Sequence, residues 1–125
     1  MPERIIIEMG RAVFEGELND SPAARKFSET LPIELIMSRW GDEYYGNCGV
    51  TVEEDETAKE AMEPGEIAIW PPAQSLCIFF GPTPLSTDEN PRSASASVPI
   101  GRITGNFTNF KMMGHTVTAR VRRAE

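Results

Sequence analysis

The segment Glu63-Pro64-Gly65-Glu66-Ile67-Ala68-Ile69-Trp70-Pro71-Pro72-Ala73-Gln74-Ser75-Leu76-Cys77-Ile78-Phe79-Phe80-Gly81-Pro82-Thr83-Pro84 holds the most apolar stretch of this chain, and its reading decides the architecture. Ile67–Trp70 and Leu76–Phe80 are short unbroken apolar runs, closed off by Pro71-Pro72 and by Gly81-Pro82. Runs this short, rich in β-branched and aromatic residues, read as strands buried on both faces. Either X-Pro bond at Pro71 or Pro72 is a place for a cis peptide, as tight turns sometimes require. Downstream, Pro82–Ser97 is rich in Pro, Ser and Thr, and reads as a long loop. Loops above about 12–15 residues are commonly functional or mobile. Starting where the apolar strand stops, this one is placed to act as a lid or rim.

Working outward, more strand signals appear on both sides. Ile5, Ile7 and Met9 alternate with polar neighbours, and after a turn at Gly10 so do Ala12, Phe14, Gly16 and Leu18. Ser21-Pro22 opens a short helix, with Ser as the cap and Pro at the first helical position. Leu31-Pro32 closes it. The apolar segment Ile33–Trp40 reaches a turn at Gly41-Asp42 and then the pair Tyr44-Tyr45. Ala58–Met62 has room for a helical turn and Phe107–Met113 for a short helix. Val98–Gly105 resumes a strand. In the last segment Val117, Ala119 and Val121 face inward and Thr116, Thr118, Arg120 and Arg122 outward. Eight or so short strands with one or two short helices and no βαβ rhythm predict a mainly β fold, closed into an antiparallel barrel. Closure also removes the exposed edges that strands this apolar would otherwise present.

The chain has 125 residues, the length of one domain spanning 1–125. Twelve Lys and Arg against nineteen Asp and Glu give a net charge of −7. That balance speaks against nucleic acid and anionic membrane as partners, since no general attraction to phosphate is available. The N-terminus has only three consecutive isoleucines, too few for a signal peptide core of about 7–15 apolar residues. The expected location is cytoplasmic. Cys48 and Cys77 are isolated and read as reduced thiols.

The central segment, together with Leu31-Pro32-Ile33-Glu34 and Trp40-Gly41-Asp42-Glu43-Tyr44-Tyr45, resembles the small cyclophilin-like family of bacteria and archaea, over nearly the whole chain. The resemblance implies the cyclophilin fold, an eight-stranded antiparallel barrel capped by helices, and supplies no reaction by itself. More distantly the chain is similar to the larger prolyl isomerases. Their catalytic segment carries an arginine, then an aromatic, an apolar residue and an amide at offsets met here by Arg39, Tyr44, Tyr45 and Asn47. In that chemistry the arginine donates to the prolyl nitrogen and weakens an amide resonance whose barrier is ~18–20 kcal/mol. Val98–Ile103 resembles the isomerases' Val-Phe-Gly-Lys-Val strand, which puts Ser97 where they have a pocket histidine. Two registers remain open on the central strand, with either Ile78 or Phe80 as the pocket phenylalanine. Both share one face. The departures are a polar-tipped Tyr45, a shortened amide at Asn47 and the missing histidine.

These residues define the expected site. Arg39 is the candidate electrophile, or else a surface arginine pairing with Asp42 or Glu43. Tyr44, Tyr45, Asn47, Trp70, Ile78, Phe80 and Ser97 are the candidate ligand-binding residues. Trp40 and Trp70 either stack on a ligand or belong to the core. His115, alone of its kind, reads as a solvent-facing turn residue, and Glu53-Glu54-Asp55-Glu56 as a solvated acidic surface. Cys77 reads as a buried, inert thiol. No metal or cofactor is expected. The expected function is a binding module, with an apolar groove edged by Arg39, Tyr44, Trp70 and Phe80 for a proline-containing peptide or a small apolar ligand. The alternatives are a weak peptidyl-prolyl isomerase and an interaction domain using the 82–97 loop, in a monomer or small homo-oligomer.

Overall fold

Residues 3–124 are described by a computed structural model. The strands are β1 (Glu3–Met9), β2 (Ala12–Leu18), β3 (Ile33–Arg39), β4 (Glu43–Asn47), β5 (Lys59–Ala61), β6 (Glu66–Trp70), β7 (Ser75–Phe79), β8 (Arg92–Ile103) and β9 (Thr116–Arg123). Each pairing is antiparallel, and the order β2-β1-β9-β3-β4-β7-β6-β8 returns to β2 through a β2–β8 pairing. Eight strands thus close a ring, as the sequence implies. β5 lies outside it, paired only with β8.

The alternation of each strand sets what the ring encloses. Ile5, Ile7 and Met9 of β1, Phe14 and Leu18 of β2, and Ala119 and Val121 of β9 all point into one core. Ile67 and Ile69 of β6 and Leu76 and Ile78 of β7 join them. The other faces of β6 and β7 are buried too: Ala68, Cys77 and Phe79 form a second apolar cluster with Met62, and Trp70 packs against it. Burial on both faces is why Ile67–Trp70 and Leu76–Phe79 run apolar without alternation.

The helix α1 (Pro22–Glu29) begins as its sequence requires, with Ser21 Oγ accepting from the Ala24 N–H at 3.1 Å. It buries Ala23, Ala24 and Phe27 against the ring. The segment 107–113 forms only a 3-10 helix, Thr108–Met112, and a second, Pro71–Ala73, links β6 to β7.

Two expectations are corrected. The loop after Phe80 ends at Pro91, because β8 already begins at Arg92. Its first half, Arg92-Ser93-Ala94-Ser95-Ala96-Ser97, has no apolar alternation of its own and is held extended by β5. The proposed helical turn at 58–62 is instead β5, for the same reason. Among the described residues the cis peptide bond is Leu31-Pro32; the bonds preceding Pro71 and Pro72, which the sequence leaves open, are trans.

Candidate functional site

Strand alternation divides the expected site residues between two places. At one end of the interior, Arg39 closes β3 with its guanidinium 5.2 Å from the centre of the Phe80 ring. Its Nε donates to the Gly41 carbonyl at 2.7 Å, Nη1 to the Lys111 carbonyl at 3.0 Å, and Nη2 pairs with Asp42 at 2.8 Å. The guanidinium is therefore committed to its own chain. Tyr44, directly across from Arg39, points inward and is fully buried, with its hydroxyl donating to the Gly114 carbonyl. Burial raises the Tyr44 hydroxyl pKa, and the adjacent Arg39 acts against that rise. Ile78 and Phe80 are also buried inside, and Phe80 stacks on Phe110 at 5.2 Å.

Tyr45 and Trp70, one step out of phase with those residues, emerge on the outer face. Asn47 is exposed at the end of β4, where it pins the following turn through the Ala73 carbonyl and the Gly49 N–H. Ser97 is fully buried and bonds to Ser93 across 2.8 Å. The single groove expected between Arg39, Tyr44, Trp70 and Phe80 does not form, because Tyr44 and Phe80 face the core while Trp70 faces away from it. His115 is exposed, as are Glu53, Glu54 and Glu56.

The outer face holds a pocket that the sequence reading did not assemble. Trp40 and Glu43 are bonded to each other through their backbones across the Gly41-Asp42 turn, so their side chains share a side. Gly41, at φ +60°, makes this turn possible, and a side chain there would strike Thr83 and Pro84. The register then places Tyr45 opposite Cys77 and Glu43 opposite Phe79. Trp70 comes from the neighbouring strand, its indole N–H donating to Ser95 Oγ at 2.6 Å. Ser93 and Ala94, from the half of β8 that was expected to be loop, complete the wall. The cavity is about 210 Å³.

Its floor carries an anomaly. Glu43 is only 4% exposed, and its Oε1 has no hydrogen-bond partner. Burial raises its pKa from 4.5 to about 7, with the nearby Cys77 thiol pulling slightly the other way. Cys77 is pushed well above its ordinary value, first by burial and then by Glu43. An unpaired buried carboxyl costs free energy unless something else compensates. A strongly perturbed acid in a cleft is a mark of a functional site. A larger hollow of about 370 Å³ lies between β2, β6 and β8, lined by Glu17, Glu63, Glu66 and Arg102. Glu66 there is already paired with Lys59 at 2.9 Å, so nothing in that hollow calls for a ligand.

The signal for Glu43 was present in the sequence. With Tyr44 inward, alternation sends Glu43 and Tyr45 to the outside, the side that Cys77 takes when Ile78 faces in. What hid the pocket was the covering strand, whose Ser-Ala alternation looks like loop. Among the described residues no cluster of three His, Cys, Asp or Glu side chains could hold a metal ion, and no helix is long and apolar enough to cross a membrane.

Comparison with known proteins agrees with the architecture. No curated protein matches the chain. The solution structure of a hypothetical protein from Archaeoglobus fulgidus is similar to it, with 37% identity and a TM-score of 0.83. That match covers 98% of this chain and 95% of the archaeal one. The family model described as cyclophilin-like matches residues 3–122. Ring topology, central motif and family match coincide, and the chain belongs to the cyclophilin-like family.

Proposed function

We propose that this domain is a binding module whose outer-face pocket takes one compact, largely apolar group, the size of a prolyl ring or a branched alkyl head. The observation that carries this reading is the cavity walled by Trp40, Tyr45 and Trp70 over the buried Glu43, whose Oε1 has no partner. At about 210 Å³ it is smaller than the roughly 300–1,000 Å³ of sites for drug-sized molecules, which favours a single ring or head over an extended ligand. Isomerase chemistry is less well supported, because Arg39 is bonded to Gly41, Asp42 and Lys111 and has little left to donate to a prolyl nitrogen. The 82–91 loop is tied down internally, Thr83 Oγ1 to the Arg92 carbonyl and Ser86 Oγ to the Asn90 carbonyl, which favours the pocket over the loop as the binding element.

The chain has two tryptophans and both line the pocket, so selectively excited tryptophan emission reports on this site. Titration with proline-containing peptides and small branched alcohols is expected to change that emission saturably, and Tyr45→Ala to weaken the response. Amide resonances that shift only on the opposite side of the ring, with the emission unmoved, would refute the assignment.

A further inference from the structure

Resting on that pocket reading, we infer that the group it takes is an alkylated ammonium, with Trp40, Tyr45 and Trp70 as its aromatic cage and Glu43 as its counter-charge. Three observations combine to support this. The walls are aromatic from two separate segments, the β3–β4 hairpin and the end of β6, and ring faces attract cations, most strongly where water is excluded. The Trp70 ring is held by its bond to Ser95, so the wall does not have to be ordered when a ligand arrives. The floor is a carboxyl with an unused oxygen, and a positive charge beside a buried carboxyl favours its ionised form.

Among the described residues no cation fills that role. The lining residues include no Lys, Arg or His; Tyr45 and Cys77 are the other titratable groups among them. Arg39 and Asp42, the nearest charged neighbours along the chain, are paired with each other, and Lys111 reaches Asp42 rather than Glu43. A neutral ligand would leave Glu43 holding its proton near pH 7. A cationic one would expel that proton to solvent and bind the carboxylate. The alkyl shell of the ammonium meets the apolar walls, and its charge is met by the floor.

The test compares choline with its uncharged carbon isostere, dimethylbutanol, by tryptophan fluorescence and calorimetry on the intact chain. Choline is expected to bind about tenfold or more tightly than the isostere at pH 8. Its affinity should fall by up to about tenfold per pH unit below pH 7, as Glu43 takes up its proton. Glu43→Gln, which keeps the shape, should reduce the preference to what the aromatic faces alone supply and abolish the pH dependence; its thermal transition verifies folding. Equal binding of the two probes, or affinity that rises as the pH falls, overturns the ammonium inference and leaves the pocket reading standing. Binding of neither probe overturns both. A further arm uses acetylated trimethyl-lysine amide. Tighter binding than choline assigns the ammonium to a protein side chain and equal binding to a free small molecule, and each upholds the cage.

Discussion

Glu43 shows how one side chain can set the pH response of a whole domain. In the unfolded chain it ionises near its ordinary 4.5, whereas in the fold it keeps its proton until about 7. Between those values the folded state binds more protons, so stability falls as the pH rises through this window and stays lower above it. The difference amounts to about 3 kcal/mol for so deeply buried a group. Glu43→Gln should therefore be the more stable protein at pH 8, by up to about 3 kcal/mol, and gain nothing at pH 4. Urea midpoints at the two pH values check this, and parallel loss of stability in both proteins on raising the pH would contradict it. The sequence offered Asp42 or Glu43 as the ion-pair partner of Arg39. Asp42 takes that role, because Asp42 lies in the turn beside the guanidinium while Glu43 begins a strand and follows its alternation outward. Strand parity was legible, but the degree of burial was not, since it depends on residues fifty positions away.

At the scale of elements, Arg39 matters as a clamp. It joins the β3–β4 turn to the 3-10 segment Thr108–Met112, which seals the interior with Phe110 stacked on Phe14 at 3.8 Å. A hydrogen bond to a charged group contributes about 1.5–3 kcal/mol, so Arg39→Ala should cost about 2–3 kcal/mol. Amide exchange should accelerate first in residues 108–113. Arg39→Lys should recover only part, since one nitrogen cannot reach the Gly41, Lys111 and Asp42 acceptors that the guanidinium meets from three. Unchanged exchange in that segment would mean the clamp is idle. The match of Arg39, Tyr44, Tyr45 and Asn47 to the isomerase spacing locates a hairpin correctly and divides its residues between two faces, because adjacent residues on a strand point to opposite sides. β6 and β7 were legible because their runs are apolar throughout. The first half of β8 was not, because serine and alanine become a strand only when partner strands recruit them.

At the scale of the molecule, the ring depends on a narrow seam. β2 and β8 close it through three register pairs, Gly16↔Ile103, Glu17↔Arg102 and Leu18↔Gly101. Both glycines sit where the backbones approach closely: a Cβ on Gly16 would lie 2.9 Å from the Arg102 carbonyl oxygen, and one on Gly101 would press into the Glu17 carbonyl. Closure was foreseeable from eight apolar strands with no good edge, whereas the place of closure was not, since nothing marks these glycines apart from those in turns. β8 serves two ends at once, its C-terminal half sealing the ring and its N-terminal half walling the pocket with Ser93 and Ala94. Gly101→Ala should force the seam apart at a cost of about 1–3 kcal/mol, the usual range for overpacking. Exchange should then rise along Gly16–Leu18 and Gly101–Ile103. The pocket half of β8 is held separately by β5 and by the Trp70–Ser95 bond, so choline or alcohol titrations of the folded variant should give near-normal affinity. A variant that keeps its seam protected would show that the ring tolerates a side chain there, and one that loses the pocket along with the seam would show that β8 moves as a single rigid strand.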